Sequence, residues 1–192
     1  MEKGRLEAFS DGVIAIIMTI MVLELKSPPS NDIAGLKVIA PVFFSYLLSF
    51  AFVGTYWVNH HHMFQAIRHV DGRILWLNIN LLFWLSLMPF CMGWLAESGF
   101  TTWPVLVYGL DLLAASIAYL SLAKSLVALH GPDSPLALAL QKDVKGKISV
   151  AIYVLALPLA FIQPKLCVLL FSVVVFMWVV PDPRIEKRLK KD

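Results

Sequence analysis

The 192-residue chain is 59% hydrophobic and only 15% charged, with a mean hydropathy of +0.76. This composition excludes a disordered chain, and a soluble domain of this length could not bury so much apolar surface. The net charge is only +3, and both cysteines, Cys91 and Cys167, lie in apolar runs, so a disulfide framework is not expected. The composition therefore predicts an integral membrane protein.

Six apolar runs follow one another along the chain. They cover residues 6–25, 33–58, 74–96, 103–129, 144–162 and 164–181. Each is long enough, or nearly so, to cross about 30 Å of hydrocarbon as a helix, and the alternating segments of a barrel are absent. The sequence therefore predicts an all-α, polytopic fold with one six-span domain over 1–192. The first run is not expected to be a cleaved signal peptide, because its flank is acidic and no A-x-A site follows.

Basic residues predict the orientation. Six spans place both termini on one side, and if that side is the cytoplasm, only Lys26, Lys37 and Lys165 of the 16 lysines and arginines lie outside. The basic tail at 184–191 is then expected to lie near anionic lipid. The chain is predicted to be a multi-pass cell-membrane protein with cytoplasmic termini, and nucleic acid is not an expected partner.

Polar side chains collect at the inner ends of the first three predicted spans. They are Arg5, Ser10 and Asp11, then Trp57, Asn59, His60, His61 and His62, then Asp71, Arg73, Asn78 and Asn80. A carboxylate inside a span needs a partner, and Arg5 or a histidine is expected beside Asp11. These groups predict a polar clamp that holds the first helix; the alternative is ordinary N-capping by Ser10 or Asp11. Consecutive histidines point about 100° apart, so a metal site is not expected.

Beyond Gly12 the first run is apolar on nearly all sides. Ile16, Ile20 and Leu23 share a stripe at i, i+4 and i+7, with Thr19 beside it and Glu24 at its end. A stripe of this kind is by itself more typical of helix packing than of a pore.

Three landmarks in the first half of the chain carry a family resemblance. Arg5-Leu-Glu-Ala-Phe-Ser-Asp11 reads R-x-x-x-F-S-D at the start of the first run. Tyr56-Trp-Val-Asn-His-His-His-Met-Phe64 closes the second run, and the third contains Trp76-Leu-Asn-Ile-Asn-Leu-Leu82 and Leu87-Met-Pro-Phe90. Together these segments resemble the transmembrane protein 175 family of potassium channels.

The resemblance implies a homotetramer of six-span subunits with no P-loop, in which the first helices surround a central pore. It implies that Ile16 forms the narrowest ring and that Thr19, Ile20 and Leu23 face the pore farther along. The implied clamp of the pore helix consists of Arg5, Phe9, Ser10, Asp11, Trp57, Asn59, His60, His61 and Asn78. The expected function is a cation channel, modestly selective for K⁺ over Na⁺, with Glu24 at the outer mouth. The expected partners are K⁺, membrane lipid and further copies of the chain, with no cofactor and no metal besides transient K⁺.

A proton-coupled transporter is the alternative function. Asp111 favours it, because this acid lies about eight residues into the fourth run, where a charge is costly. Asp111 could instead be an acid hydrogen-bonded to a neighbouring helix, near Tyr108. An enzyme is not expected, since no nucleophile, base or metal-ligand set converges. Composition alone leaves an interaction protein open.

Overall fold

A computed structural model of the chain describes residues 2–140 and 143–179. This part of the chain is helical and contains no β-strand beyond a single backbone bridge between Glu2 and His69. The helices are α1 (Gly4–Met21), α2 (Ile33–Gln65), α3 (Gly72–Glu97), α4 (Thr102–His130), α5 (Pro135–Leu140), α6 (Val144–Leu159) and α7 (Pro164–Val179). A short 3₁₀ turn, Val22–Glu24, continues α1. The all-α prediction is confirmed for the described residues.

Four of these helices are long and apolar enough to cross a membrane, namely α1 with its 3₁₀ turn, α2, α3 and α4. The other two predicted spans correspond to α6 and α7, which have 16 residues each. A helix of 16 residues rises only about 24 Å, less than the roughly 30 Å of a hydrocarbon core, but α7 is described only as far as Val179, the last described residue. Residues 180 and 181 of the last predicted span, together with Lys142 and the basic tail, lie outside the described residues.

The second helix is longer than the apolar run that predicted it. The run ends at residue 58, where Asn59 and three histidines begin, but α2 continues to Gln65. A helix satisfies its backbone hydrogen bonds whatever the side chains are, so polar residues end a membrane span without ending the helix. The extra turns carry His60 to its contact with Asn78 of α3.

Aspartates begin three of the helices. Asp32, Asp71 and Asp143 accept hydrogen bonds from the backbone N–H groups of Gly35, Ile74 and Gly146, each at 2.9 Å. These are N-caps, which satisfy donors that the first helical turn leaves free. The Ser30 hydroxyl and then the Gly35 N–H hold the pKa of the Asp32 carboxyl below its ordinary value.

The helices form a bundle in which α1 packs on α2 and α3, while α4 packs chiefly on α3, α6 and α7. The contact between α4 and α7 depends on Gly109, because a Cβ there would lie 2.6 Å from a ring carbon of Phe171. Tyr108 and Tyr153 are fully buried beside the same ring. The core of the second half is therefore built around aromatic side chains.

Candidate ion pathway on the first helix

The first helix has one face packed into its own subunit and one face open. Its buried residues recur at helical spacing: Leu6, Ser10, Ile14, Ile17 and Met21. The opposite face carries Ile16, Thr19, Ile20 and Leu23, which we call the exposed stripe. Ile16 is 58% exposed, Ile20 43% and Leu23 74%. The predicted pore residues therefore lie together, directed away from the rest of the chain.

Thr19 is the one hydroxyl residue on the exposed stripe. Its Oγ1 lies 2.9 Å from the carbonyl oxygen of Ile16 and 3.0 Å from that of Ala15, and it donates its proton to these acceptors. The lone pairs of the hydroxyl oxygen stay available on the open face. Thr19 can thus offer an oxygen to water or to a cation one turn beyond Ile16.

Three buried polar side chains join α1, α2 and α3; we call them the inner network. His60 Nε2 lies 2.8 Å from Asn78 Oδ1, and Asn78 Nδ2 donates to Ser10 Oγ at 2.9 Å. An amide oxygen only accepts, so His60 donates through Nε2–H. Ser10 in turn donates to the carbonyl of Leu6 at 2.8 Å. The hydrogen bonds run in one direction through three helices and hold the buried face of α1 in place.

Asp11 lies next to the inner network but has a different partner. The indole N–H of Trp57 donates to Asp11 Oδ1 at 3.0 Å, and the Trp57 ring stacks on His61. Arg5, the expected partner, is exposed and has no hydrogen bond or ion pair to another described residue. Arg5 and Asp11 are six positions apart, so their side chains point about 120° apart around the helix. The expected pair of Arg5 and Asp11 is thus not found within the subunit.

The remaining predicted clamp residues lie away from the inner network. Asn59 bonds to the carbonyl of Thr55 at 2.7 Å, and His61 bonds to Gln65 at 2.8 Å. Phe9 is exposed. N-capping by Ser10 or Asp11 is wrong, because α1 begins at Gly4 and both residues lie well inside it. The clamp as a functional unit stays a prediction.

Glu24 lies at the far end of α1 from the inner network. Its carboxylate rests over Gly93 of α3, where an added Cβ would come within 3.0 Å of Oε2. Near it, Lys26 and Glu97 form an ion pair at 3.6 Å. Glu24 is one position past Leu23 in a 3₁₀ turn, so it points about 120° away from that end of the exposed stripe. The Glu24 carboxylate therefore lies against α3, beside the expected outer mouth of the pore.

Metal-ligating side chains do not cluster in the part of the chain that the structure describes. In residues 2–140 and 143–179, no group of three His, Cys, Asp or Glu side chains is placed to hold a metal ion. His60 and His61 bond to Asn78 and Gln65 respectively, on different sides of α2.

Comparison with known proteins identifies the family. Residues 5–89 match the family model described as the endosomal/lysosomal potassium channel TMEM175. A potassium channel of Chryseobacterium sp. (strain P1-3) is 47% identical over 192 residues, the full length of both chains. The chain belongs to the TMEM175 family. The resemblance seen in the sequence is confirmed, and with it a multi-pass membrane protein of an ion-channel family rather than an enzyme.

Two further similar proteins cover most of the chain. A potassium channel of Streptomyces collinus (strain DSM 40733 / Tue 365) is 32% identical over 178 residues, covering 86% of this chain and 85% of its own. The crystal structure of a lysosomal potassium-selective channel TMEM175 homolog from Chamaesiphon minutus matches with a TM-score of 0.80 at 30% identity. It covers 93% of this chain and 96% of that chain. The second half of the chain therefore shares the fold of the family, although the family model ends at Pro89.

Asp111 lies beyond the segment that the TMEM175 model matches. It is 4% exposed, and neither carboxylate oxygen has a hydrogen-bond partner among the described residues. Tyr108, one turn earlier, shares a hydrogen bond with Ser49 of α2 at 2.9 Å. The expected bond from Asp111 to a neighbouring helix is therefore not found in the described part. Asp111 lies on α4 in the subunit core, remote from the exposed stripe.

Two residues beside the site were missed in the sequence. Gly93 makes room for Glu24, and nothing in its surroundings marks it, since glycine is common in spanning helices. Lys3 donates to the carbonyls of Phe64 and Gln65, which joins the start of α1 to the end of α2. Its signal was available: a lysine just before a helix faces carbonyls left free where an antiparallel helix ends.

Proposed function

We propose that this chain is the subunit of a potassium-selective cation channel whose pore is lined by α1. The observation that carries the proposal is the two-sided character of α1. Ser10 is bonded into the subunit on one face, and an apolar stripe with Ile16 at 58% exposure lies on the other. The relatives from Chryseobacterium and Streptomyces are named potassium channels, which supports the proposed ion.

Four subunits surround one axis in the proposed channel, and the exposed stripe of each α1 faces that axis. The surface of α3 supports assembly. Trp76, Phe83 and Phe90 recur every seven residues and are all exposed. Asn80 is exposed beside them, although an amide facing lipid this far into a span is costly. A neighbouring subunit would cover both the aromatic rings and the amide.

The proposed subunit spans the cell membrane six times with cytoplasmic termini, as the basic residues predict. The fifth and sixth spans are α6 and α7. The shortness of α6 is compatible with spanning, because flanking side chains and local bilayer thinning accommodate short helices. The Lys145 ammonium lies 5.8 Å from the ring centre of Trp178, so a basic and an aromatic residue sit together at one end of this pair. Such residues are typical of the membrane interface.

Four Ile16 side chains at the axis would form a hydrophobic neck. A narrow apolar ring stops ions by dewetting, and a wider one passes those that most readily give up part of their hydration shell. K⁺ holds its water less tightly than Na⁺ does, so the neck favours K⁺ modestly. The Thr19 oxygens lie next along the pathway and stabilise the partly dehydrated ion.

Replacing Ile16 by Asn tests the neck. In planar bilayers, I16N is expected to raise the K⁺ current severalfold and to lower the K⁺/Na⁺ permeability ratio. The reason is that a neck formed by four asparagine side chains stays hydrated. The matched control is I117N, the same change at an exposed position of α4. Unchanged permeation in I16N, or an equal change in I117N, would remove Ile16 as the neck.

Chemical crosslinking of the purified protein tests the assembly. The proposal expects a ladder that ends at four subunits in mild detergent. A ladder that ends at two would contradict the fourfold axis, whatever ion the protein conducts.

A further inference from the structure

A groove lies between the last turns of α4, the short helix α5 and the first turn of α6; we call it the α4–α6 groove. Its volume is about 420 Å³, and it is partly open to the surroundings. Most of its lining is apolar and comes from Leu120, Ala123, Val127, Pro132, Ala137 and Leu140. The remaining lining residues are charged: Lys124, Asp143 and Lys147. No residue of the exposed stripe of α1 lines it.

Two lysines on different helices give the α4–α6 groove a positive charge. Lys124 of α4 and Lys147 of α6 are exposed, and neither has an ion pair or hydrogen bond to another described residue. The carboxylate of Asp143 is turned toward the start of α6, where Oδ1 accepts a hydrogen bond from the Gly146 N–H at 2.9 Å. Because the acid is used as an N-cap, both ammonium groups are free to bind an anion.

The length of α4 places Lys124 near the membrane surface. The helix begins at Thr102, and the next residue, Trp103, is exposed, as is typical of tryptophan at a membrane interface. Lys124 lies about 33 Å farther along the helix. A hydrocarbon core is about 30 Å thick, so a helix that enters at Trp103 leaves the core close to Lys124. The α4–α6 groove therefore lies at the depth where lipid headgroups begin.

The start of α6 lies at the same depth. Lys147 faces the groove that Lys124 also lines, and the Lys145 ammonium lies 5.8 Å from the ring centre of Trp178. Basic and aromatic side chains together are typical of the interface between hydrocarbon and water. In the proposed orientation this interface is cytoplasmic, so the groove faces the inner leaflet.

We infer that the α4–α6 groove binds an anionic phospholipid of the inner leaflet. Lysine stems are long and flexible, so the ammonium groups of Lys124 and Lys147 reach one phosphate from two facing helices and donate to its oxygens. The first part of an acyl chain packs on the apolar lining, beside Leu120 and Ala123. A free phosphate would lack this contact, and exposed lysines alone hold an anion only weakly.

Native mass spectrometry of the purified full-length protein tests the inference. We titrate it in detergent with phosphatidylglycerol or with phosphatidylcholine of the same acyl chains. The first phosphatidylglycerol should bind about tenfold more tightly, because its headgroup is anionic whereas the choline cation offsets the phosphate. The variant K124Q/K147Q should lose this preference and bind the two lipids equally.

The matched control removes two positive charges elsewhere at the same membrane side. Arg68 and Arg73 are exposed and do not line the groove, so R68Q/R73Q should keep the tenfold preference. All four basic residues are exposed, so neither double variant should lose stability.

Glycerol 3-phosphate separates a lipid from a soluble phosphate. It carries the phosphate without the acyl chains, and at millimolar concentration it should leave the bound phosphatidylglycerol in place. Displacement by glycerol 3-phosphate would overturn the assignment to a lipid.

Three further results would overturn the inference: equal binding of the two lipids by the original chain, an unchanged preference in K124Q/K147Q, or an equal loss of preference in R68Q/R73Q. The last of these is what general attraction of acidic lipid to a basic protein would produce. None of these measurements requires ion flux, so their failure is distinguishable from failure of the proposed channel function.

Discussion

The buried polar groups of α1–α3 differ from those of α4–α7 in how they are satisfied. Ser10, His60 and Asn78 bond to one another across three helices. Asp111 and Tyr153 are buried as deeply, but the Asp111 carboxylate and the Tyr153 hydroxyl have no partner among the described residues. Polar groups inside a membrane protein persist where they have a task. In the first half the bonded groups join α1 to α2 and α3, whereas in the second half the described residues supply no hydrogen-bond partner for the two groups.

Breaking the inner network should have the largest effect on stability. Asn78 is the central residue, so N78A leaves His60 without its hydrogen-bond acceptor and removes the donor to Ser10, which keeps its bond to Leu6. We expect a loss of about 2 kcal/mol, because an unpaired buried group costs about 1–3 kcal/mol. Thermal unfolding in detergent measures it, with S172A as control, since Ser172 bonds only to its own helix at Val168. Equal unfolding temperatures for N78A and S172A would contradict the network.

Removing Asp11 should weaken the attachment of α1 by a smaller amount. D11A is expected to lose tetramer assembly or channel opening, because the Trp57 indole N–H then loses its acceptor. W57F should reproduce much of the defect, at about 1 kcal/mol for a half-exposed bond to a carboxylate. The double variant D11A/W57F should lose no more stability than D11A alone, because the two substitutions remove the same hydrogen bond. Normal tetramers with normal currents in D11A would remove this contact from the mechanism.

Changing Asp111 should have the smallest effect on conduction. D111N keeps the size of the side chain and lies in α4, off the proposed pathway, so K⁺ current and its pH dependence should stay as in the original chain. The comparison with D11A measures how far the two halves differ in function. Flux that fell to zero in D111N and lost its pH dependence would favour the proton-coupled transporter instead.

Much of the first half could be predicted because polar residues in apolar runs are few. Ser10, His60 and Asn78 were expected to meet because they lie at similar depth in the predicted spans, and the structure places them in contact. Depth says nothing about rotation around the helix axis, and this is why Arg5 was expected beside Asp11 and Trp57 was not singled out as the donor. An indole N–H at the end of a long, rigid side chain reaches a carboxylate on the next helix without needing a charge.

The cavity between α2, α4, α6 and α7 could not be predicted, because it depends on how four helices leave space between them. Tyr56, Tyr119, Tyr153 and Trp178 look in the sequence like ordinary core aromatics. Only their relative positions show that the Tyr153 hydroxyl lacks a hydrogen-bond partner among the described residues. The length of α6 could not be predicted for a similar reason: an apolar run predicts where a helix lies, but the residue at which the helix ends depends on tertiary packing.

The most direct test of the central claim is disulfide formation at position 16. With Cys91 and Cys167 replaced by alanine, I16C in lipid vesicles should form disulfide-linked dimers under mild oxidation, because the side chains of neighbouring subunits meet at a common axis. I117C, exposed on α4, should remain monomeric under the same conditions. If I16C stayed monomeric, or if both positions crosslinked equally, the exposed stripe of α1 would face lipid and this account of the pore would be wrong.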